Sequence, residues 1–180
     1  MTASCRGAVA WEGHRAGTAR DVRLPRPMEG THAMPNADRI RVLFLCTGNA
    51  CRSQMAEGWA RHLKADRLEP YSAGIETHGL DPRAVQVMAE AGVDISGHRS
   101  KHLDDLADVD FDAVVTVCDH AHESCPMFPG GTRLVHAGFD DPPRLAKGAA
   151  DEDEALDAYR RVRDAIRDFV ATLPEALAEG

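Results

Sequence analysis

The chain has 180 residues, of which 43% are hydrophobic, with a formal net charge of −8 at pH 7 and five cysteines. This length predicts one folded domain, and the negative charge disfavours nucleic acid or a membrane surface as a partner because both are anionic. No apolar run approaches the roughly 20 residues that cross a bilayer. An odd, sparse set of cysteines does not fit a secreted disulfide framework, so we expect a soluble, cytoplasmic protein with buried or reactive thiols.

Residues 1–39 are rich in Gly, Arg, His and Pro and show no apolar periodicity. We predict that they form a disordered N-terminal leader, followed by one domain over residues 40–180. The leader lacks the apolar centre of a secretory signal. An upstream start that adds a non-native segment before Met34 accounts for it better than a transit peptide, because the segment is not Ser-rich.

The first ordered pattern begins at Ile40. Residues 42–45 are a short apolar run, which is typical of a strand buried on both faces. Residues 54–63 carry apolar side chains at helical spacing, and Ser53 is suited to cap that helix. The sequence therefore predicts a strand, a glycine-containing loop and a helix in direct succession.

Strands and helices continue to alternate along the rest of the chain. We predict strands near 69–73, 111–118 and 133–136, helices over 82–91 and 153–173, and a short extended piece at 93–96. Such alternation indicates an α/β fold in three layers, with a four-stranded parallel sheet and helices on both faces. Ligands of these sheets bind beyond the carboxyl ends of the strands, where Cys46 and Cys118 both fall.

The first predicted strand ends in the segment Cys-Thr-Gly-Asn-Ala-Cys-Arg-Ser, residues 46–53. Five residues separate Cys46 from Arg52, so a loop around a small anion can aim backbone N–H groups inward while the guanidinium binds two oxygens. Gly48 allows a close approach of the backbone, and Ser53 can donate to the sulfur. With the positive end of the following helix, these groups should lower the pKa of Cys46 and keep it a nucleophilic thiolate.

A buried core thiol with a surface arginine is the commoner meaning of an isolated pair with this spacing. The strand before the loop and the helix after it favour the anion site instead. Residues 46–59, with the segments 71–79, 93–96 and 138–142, resemble the low-molecular-weight protein tyrosine phosphatases in their arsenate reductase branch. The resemblance runs from about Arg41 to the last helix.

The resemblance implies an oxyanion site formed by the loop residues Thr47, Gly48, Asn49, Ala50, Cys51, Arg52 and Ser53. It implies that Asp141, before Pro142, is a proton donor. The alternative for Asp141 is a turn cap, the commoner use of an Asp-Pro pair.

Cys118 and Cys125 bear on the choice between reductase and phosphatase, because reducing arsenate takes two electrons that one thiolate cannot supply repeatedly. The resemblance implies a thiol–arsenate adduct on Cys46 and attack by Cys118 with release of arsenite. Cys125 then resolves the Cys46–Cys118 disulfide, and thioredoxin, the electron donor, reduces the final pair. We expect residues 118–127 to rearrange on oxidation.

Three functions are weighed: an arsenate reductase of arsenic detoxification, which is favoured, a tyrosine phosphatase of the same fold, and a non-catalytic module that binds an oxyanion or arsenite. We expect a monomer with no bound cofactor and no metal. His120 and His122 lack the usual spacing of zinc ligands. Lys101 occupies the place where some family members carry an acidic potassium ligand, beside three polar residues that match the other ligands, Asn49, Glu57 and Ser72.

Overall fold

The computed structural model describes residues 39–128 and 130–178. The predicted leader lies outside these residues except for Arg39. The strands are β1 (Ile40–Cys46), β2 (Leu68–Gly74), β3 (Ala113–Thr116) and β4 (Arg133–His136). The helices are α1 (Arg52–Leu63), α2 (Pro82–Glu90), α3 (Asp119–Glu123), α4 (Pro142–Ala146) and α5 (Glu152–Ala171), with 3-10 turns at Leu103–Leu106 and Glu175–Ala178.

The four strands form one parallel sheet in the order β2-β1-β3-β4. The four consecutive residues 42–45 of β1 are completely buried. Because successive side chains of a strand point to opposite faces, both faces of the sheet are covered at its centre. The predicted α/β fold with a four-stranded parallel sheet is confirmed.

The helices pack through the apolar stripes that the sequence predicts. In α5 the buried stripe includes Leu156, Tyr159, Val162 and Ile166, and this helix packs against α1, α2 and α4. Asp151 caps α5 by accepting a hydrogen bond from the Glu154 N–H. Aspartate is one of the residues preferred at this position before a helix. None of the described helices is both long and apolar enough to span a membrane.

Three local features differ from the sequence-based prediction. Residues 93–96 form coil and a turn rather than an extended strand, because Ser96 N–H donates to the Asp94 carboxylate and turns the chain. The short helices α3 and α4 are not predicted by apolar periodicity. Ser53 does not cap α1; the helix begins after Cys51, which makes no capping bond through its side chain.

The order of the strands positions the predicted site. β1 and β3 are neighbours, and the Val117 N–H extends their ladder by donating to the Leu45 carbonyl at 2.9 Å. Cys46 ends β1, and Cys118 follows β3 by two residues. Both cysteines therefore reach the same edge of the sheet, as predicted.

Candidate active site

Asn49 holds the loop between β1 and α1 from the inside. Its φ of +45° is in the left-handed region, which asparagine adopts more readily than most residues. Its side-chain amide donates to Ser53 Oγ at 2.9 Å and to Ser72 Oγ at 3.0 Å, and its Oδ1 accepts from the Lys101 backbone N–H at 2.8 Å. Because Asn49 is fully buried, these bonds fix the loop against β2 and the 99–101 segment.

Gln54 is a second support of the loop, although no motif in the sequence singles it out. Its Nε2 lies 3.0 Å from the Asn49 carbonyl and 2.9 Å from the Arg99 carbonyl, and its Oε1 lies 3.0 Å from His98 Nδ1. The side chain is completely buried. The sequence shows only that a polar residue directly follows Ser53. The structure shows that its side chain points into the protein interior.

Cys46 lies at the floor of the loop and is only 4% exposed. Its Sγ accepts the Asn49 backbone N–H at 3.1 Å and lies 2.8 Å from Ser53 Oγ. The Ser53 hydroxyl therefore bonds the sulfur of Cys46 and, contrary to the prediction, does not cap the start of α1. Both contacts favour the anionic form of the sulfur, because each places a donor on it.

The predicted lowering of the Cys46 pKa is wrong for this arrangement. Burial raises the pKa of Cys46 and outweighs the hydrogen bonds from Ser53 and Asn49, which lower it. The Arg52 guanidinium contacts the Phe139 carbonyl and the Asp141 carboxylate instead of the sulfur. Burial also raises the pKa of Cys51 well above its ordinary value, with the Asp81 charge as a further cause. Cys51 is thus held in its unreactive thiol form.

Arg52 begins α1 and points to the segment before α4. One guanidinium nitrogen donates to the Phe139 carbonyl at 2.9 Å, and the other lies 3.1 Å from a carboxylate oxygen of Asp141. The second carboxylate oxygen of Asp141 accepts the Arg144 backbone N–H and caps α4. Asp141 therefore caps a helix, as the alternative for the Asp-Pro pair predicts, and it also faces the arginine of the loop. Its role as a proton donor stays a prediction.

Gly48 leaves room for the His78 ring beside the loop. A Cβ atom at this position would lie 2.3 Å from His78 Nδ1, so any side chain would displace the ring. The Gly48 carbonyl accepts the His78 N–H at 3.0 Å and the Ser100 hydroxyl at 2.9 Å. The neighbouring carbonyls of Thr47 and Ala50 also accept backbone N–H groups, which secures the loop along its length.

Cys118 lies at the rim of the loop. Its Sγ is 3.4 Å from the Thr47 hydroxyl, and the residue is 4% exposed. Cys125 follows α3 and is half-buried, and burial raises its pKa. The four described cysteines are all free thiols. The structure thus brings Cys118 to the loop that holds Cys46, while α3 lies along the chain between Cys118 and Cys125.

A cavity of about 410 Å³ opens beside the loop, lined in part by Thr47, Arg52, Cys118, Phe139 and Asp141. This space unites the arginine, one predicted redox thiol and the predicted proton donor. Within the described part of the chain, neither Cys46 nor Cys125 lines it.

Below the loop, the buried carboxylate of Glu57 is paired with the ammonium of Lys101 at 3.5 Å. Burial opposes ionisation of Glu57, but the Ser72 hydrogen bond, the Lys101 charge and the contact with Arg61 together outweigh it, so its pKa is lowered. An Arg61 guanidinium nitrogen lies 2.7 Å from the other carboxylate oxygen, so two cationic side chains of the protein itself lie beside Glu57. These residues do not fit a potassium ion, and no three acidic, cysteine or histidine residues within the described ranges form a metal-binding group.

The parallel α/β fold and the cysteine-led loop with its arginine define a class of enzymes that bind a tetrahedral oxyanion above a thiol. The family model described as low molecular weight phosphotyrosine protein phosphatase matches residues 41–180. The protein belongs to this family.

Several relatives of this chain are named arsenate reductase. That of Halalkalibacterium halodurans is 47% identical over 134 residues, covering 74% of this chain and 94% of the relative. That of Bacillus subtilis is 50% identical over 125 residues, covering 69% and 88%. A solved arsenate reductase in the phosphate-binding state aligns with a TM-score of 0.60 at 28% identity, over 78% of this chain and 98% of its own.

Proposed function

We propose that the protein is an arsenate reductase that receives its electrons from thioredoxin. The observation that carries the proposal is the position of Cys118, whose sulfur lies 3.4 Å from Thr47 Oγ1 in the anion loop. Hydrolysis of a phosphate ester requires no second thiol there, whereas reduction of arsenate does. Relatives named arsenate reductase support the same activity.

The first step is formation of a covalent adduct on Cys46. Backbone N–H groups of residues 47–53 and the Arg52 guanidinium bind arsenate. The Cys46 thiol passes its proton to an arsenate oxygen, and the thiolate so formed attacks arsenic. Asp141 donates a proton to the departing oxygen, which leaves as water. The contact between Arg52 and Asp141 supports this assignment, because it keeps the acid next to the group that binds the anion.

The next steps move two electrons from the thiols to arsenic. The Cys118 thiolate attacks Cys46 Sγ, the sulfur–arsenic bond breaks, and its electron pair stays with arsenic, which leaves as arsenite. Cys125 attacks Cys118 in the resulting disulfide and frees the Cys46 thiolate. The Cys118–Cys125 disulfide then takes two electrons and two protons from reduced thioredoxin. In this role the protein contributes to arsenic detoxification.

The proposal is tested by a coupled assay with thioredoxin, thioredoxin reductase and NADPH. We expect arsenate-dependent loss of NADPH that Cys118→Ser and Cys125→Ser each abolish. Cys5→Ser is the matched control, since Cys5 has no place in the mechanism and should leave the rate unchanged. A wild-type protein that consumes no NADPH with arsenate, or a Cys118→Ser variant that turns over normally, would contradict the proposal.

A phosphatase is the second candidate, because the loop, Arg52 and Asp141 alone suffice to cleave a phosphate ester. Such an enzyme hydrolyses an aryl phosphate and is insensitive to Cys118→Ser. Weak hydrolysis together with arsenate reduction is compatible with the reductase, since both reactions use the same loop. A protein that only binds oxyanions would show neither activity.

A further inference from the structure

The segment between Cys118 and Cys125 is helical over almost its whole length. The His122 N–H donates to the Cys118 carbonyl at 3.1 Å, Ser124 to His120 at 3.0 Å, and Cys125 to His122 at 3.4 Å. At 1.5 Å per residue, residues seven apart in a helix lie about 10 Å apart along its axis. The Cα atoms of a disulfide lie roughly 4.4–6.8 Å apart, so α3 has to unwind before these thiols can pair.

Four side chains tie α3 to the sheet, and we call Thr116, Asp119, His122 and His136 the histidine latch. The Thr116 hydroxyl of β3 lies 2.9 Å from His136 Nδ1 and 3.3 Å from His122 Nδ1. The two imidazole rings pack together with centroids 4.3 Å apart. Asp119, the first residue of α3, lies 3.3 Å from His136 Nε2.

One assignment of protons satisfies the contacts among the four latch residues, although the Thr116 hydroxyl also lies 3.4 Å from the Val135 carbonyl. If the Nε2–H of His136 donates to the Asp119 carboxylate, its Nδ1 is free to accept the Thr116 hydroxyl proton. The Nδ1–H of His122 can then donate to the same hydroxyl oxygen. The buried hydroxyl of Thr116 is therefore the shared partner that links the histidine of α3 to the histidine of β4.

Apart from the latch, α3 has little to hold it. Among its five residues only Ala121 is buried, and a single methyl group contributes little apolar contact. Gly138 makes room for the latch, since a Cβ atom there would lie 3.0 Å from His136 Nε2 and 3.3 Å from Asp119 Oδ1. The side-chain contacts of the latch thus account for much of what keeps this short helix folded.

We propose that the histidine latch positions α3 in the reduced protein and opens when Cys118 and Cys125 form their disulfide. Its members act through the helix and not on the reacting sulfurs, so they are positioning residues. The inference rests on the proposed function, because it concerns the redox pair of that mechanism. A latch made only in the reduced form stabilises that form, and removing it shifts the equilibrium toward the disulfide.

The test measures the equilibrium between the protein and dithiothreitol. Cys118 and Cys125 give two electrons and two protons to oxidised dithiothreitol, which becomes the dithiol while the protein disulfide forms. Alkylation of the remaining thiols and mass mapping quantify the Cys118–Cys125 disulfide at each ratio. No arsenate and no thioredoxin are needed, so the result is independent of turnover.

Thr116→Val removes the shared hydroxyl with little change of shape, and Thr116→Ser keeps it. We expect Thr116→Val to raise the equilibrium constant for disulfide formation about tenfold, equivalent to a potential about 30 mV more negative. Thr116→Ser should restore the wild-type constant. His122→Ala should match Thr116→Val, and because His122 is exposed this variant carries the test if Thr116→Val does not fold.

His120→Ala is the matched control, since His120 lies on the same helix and its side chain makes no hydrogen bond among the described residues. Its constant should equal that of the wild type. Equal constants in folded Thr116→Val, His122→Ala and wild-type protein would overturn the latch and leave arsenate reduction untouched. Absence of the disulfide in the wild type at every ratio would overturn the latch and the proposed cascade together, whereas missing NADPH consumption alone would count against the cascade only.

Discussion

At the scale of single residues, the contact between Arg52 and Asp141 sets the resting state of the site. The carboxylate lies 3.1 Å from the guanidinium that is proposed to bind arsenate. An incoming oxyanion must therefore compete with a carboxylate of the protein for the same donors. In the proposed mechanism Asp141 gives up this contact when the anion binds, takes up a proton from water, and donates that proton to the departing oxygen.

Asp141→Asn separates these two effects. We expect tighter binding of phosphate, by about fivefold, because a partly exposed ion pair contributes up to about 1 kcal/mol. The rate of arsenate reduction should fall, because an amide cannot donate the proton that a carboxylic acid does. Calorimetric titration with phosphate and the coupled assay measure the two quantities, and asparagine still caps α4.

Asp140→Asn is the control for this prediction. Asp140 lines the same cavity, and its substitution removes the same charge as Asp141→Asn. The Asp140 carboxylate is not paired with Arg52, so this variant tests charge alone. An equal gain in phosphate affinity from both variants would show that general charge repulsion, and not competition for Arg52, governs anion binding.

At the scale of elements, the 99–101 segment is fastened to α1 and to the anion loop. The Lys101 backbone N–H donates to Asn49, and its ammonium faces Glu57 of α1. Glu57 is buried, and it also accepts the Ser72 hydroxyl of β2. The ion pair therefore stabilises the joint between β2, α1 and the segment that supports the loop.

Lys101→Met should destabilise the protein by about 1–2 kcal/mol at pH 7, because it leaves a buried carboxylate with weaker compensation. The pKa of Glu57 is lowered in the folded protein. Its stabilising effect is therefore present above the ordinary pKa of a glutamate and is lost as the pH falls through the lowered value. Urea unfolding of both proteins at neutral and acidic pH should show the difference shrinking as Glu57 becomes protonated.

Lys147→Met, at an exposed position after α4, serves as the comparison and should change the free energy of unfolding little. A constant difference between wild type and Lys101→Met from neutral to acidic pH would mean that packing of the lysine stem, and not its charge, is responsible.

The elements that the sequence predicts are those with long apolar patterns. β1 and α5 bury continuous runs or stripes, so periodicity locates them to within two residues. α3 and α4 have five residues each and too few apolar positions to show a period. α3 also has a tertiary partner, the Thr116 hydroxyl, that no local pattern records, whereas the Asp141 cap of α4 is local and is one of the two expectations for the Asp-Pro pair. Short polar helices of this kind are invisible to a periodicity argument.

In the candidate site, too, some features follow from the local sequence and others depend on the folded structure. The spacing of Cys46 and Arg52 is visible in the sequence, and so is the arrival of Cys118 at the same edge of the sheet. The hydrogen-bond partner of Ser53 cannot be predicted from the sequence, because a serine before a helix can either cap that helix or bond a nearby sulfur. The raised pKa of Cys46 follows from burial, which depends on the packing of the whole loop and not on its residue types.

At the scale of the whole molecule, the family model and the sheet begin together, at residues 41 and 40. We expect a variant that starts at Met34 to keep the unfolding midpoint and the rate of arsenate-dependent NADPH loss within about twofold. Thermal unfolding and the coupled assay are the measurements. A marked loss of either quantity would assign residues 1–33 a part in folding or turnover.

The adjacency of β1 and β3 also limits where a second thiol can meet the thiol at the end of β1. Neighbouring strands lie about 4.8 Å apart, so a cysteine acquired just beyond β3 falls within reach of a nucleophile at the end of β1. The same substitution beyond β4 would lie about twice as far away, outside bonding range without a larger rearrangement. The topology therefore places a thiol just beyond β3 next to the end of β1, as the proposed transfer of electrons from Cys118 requires.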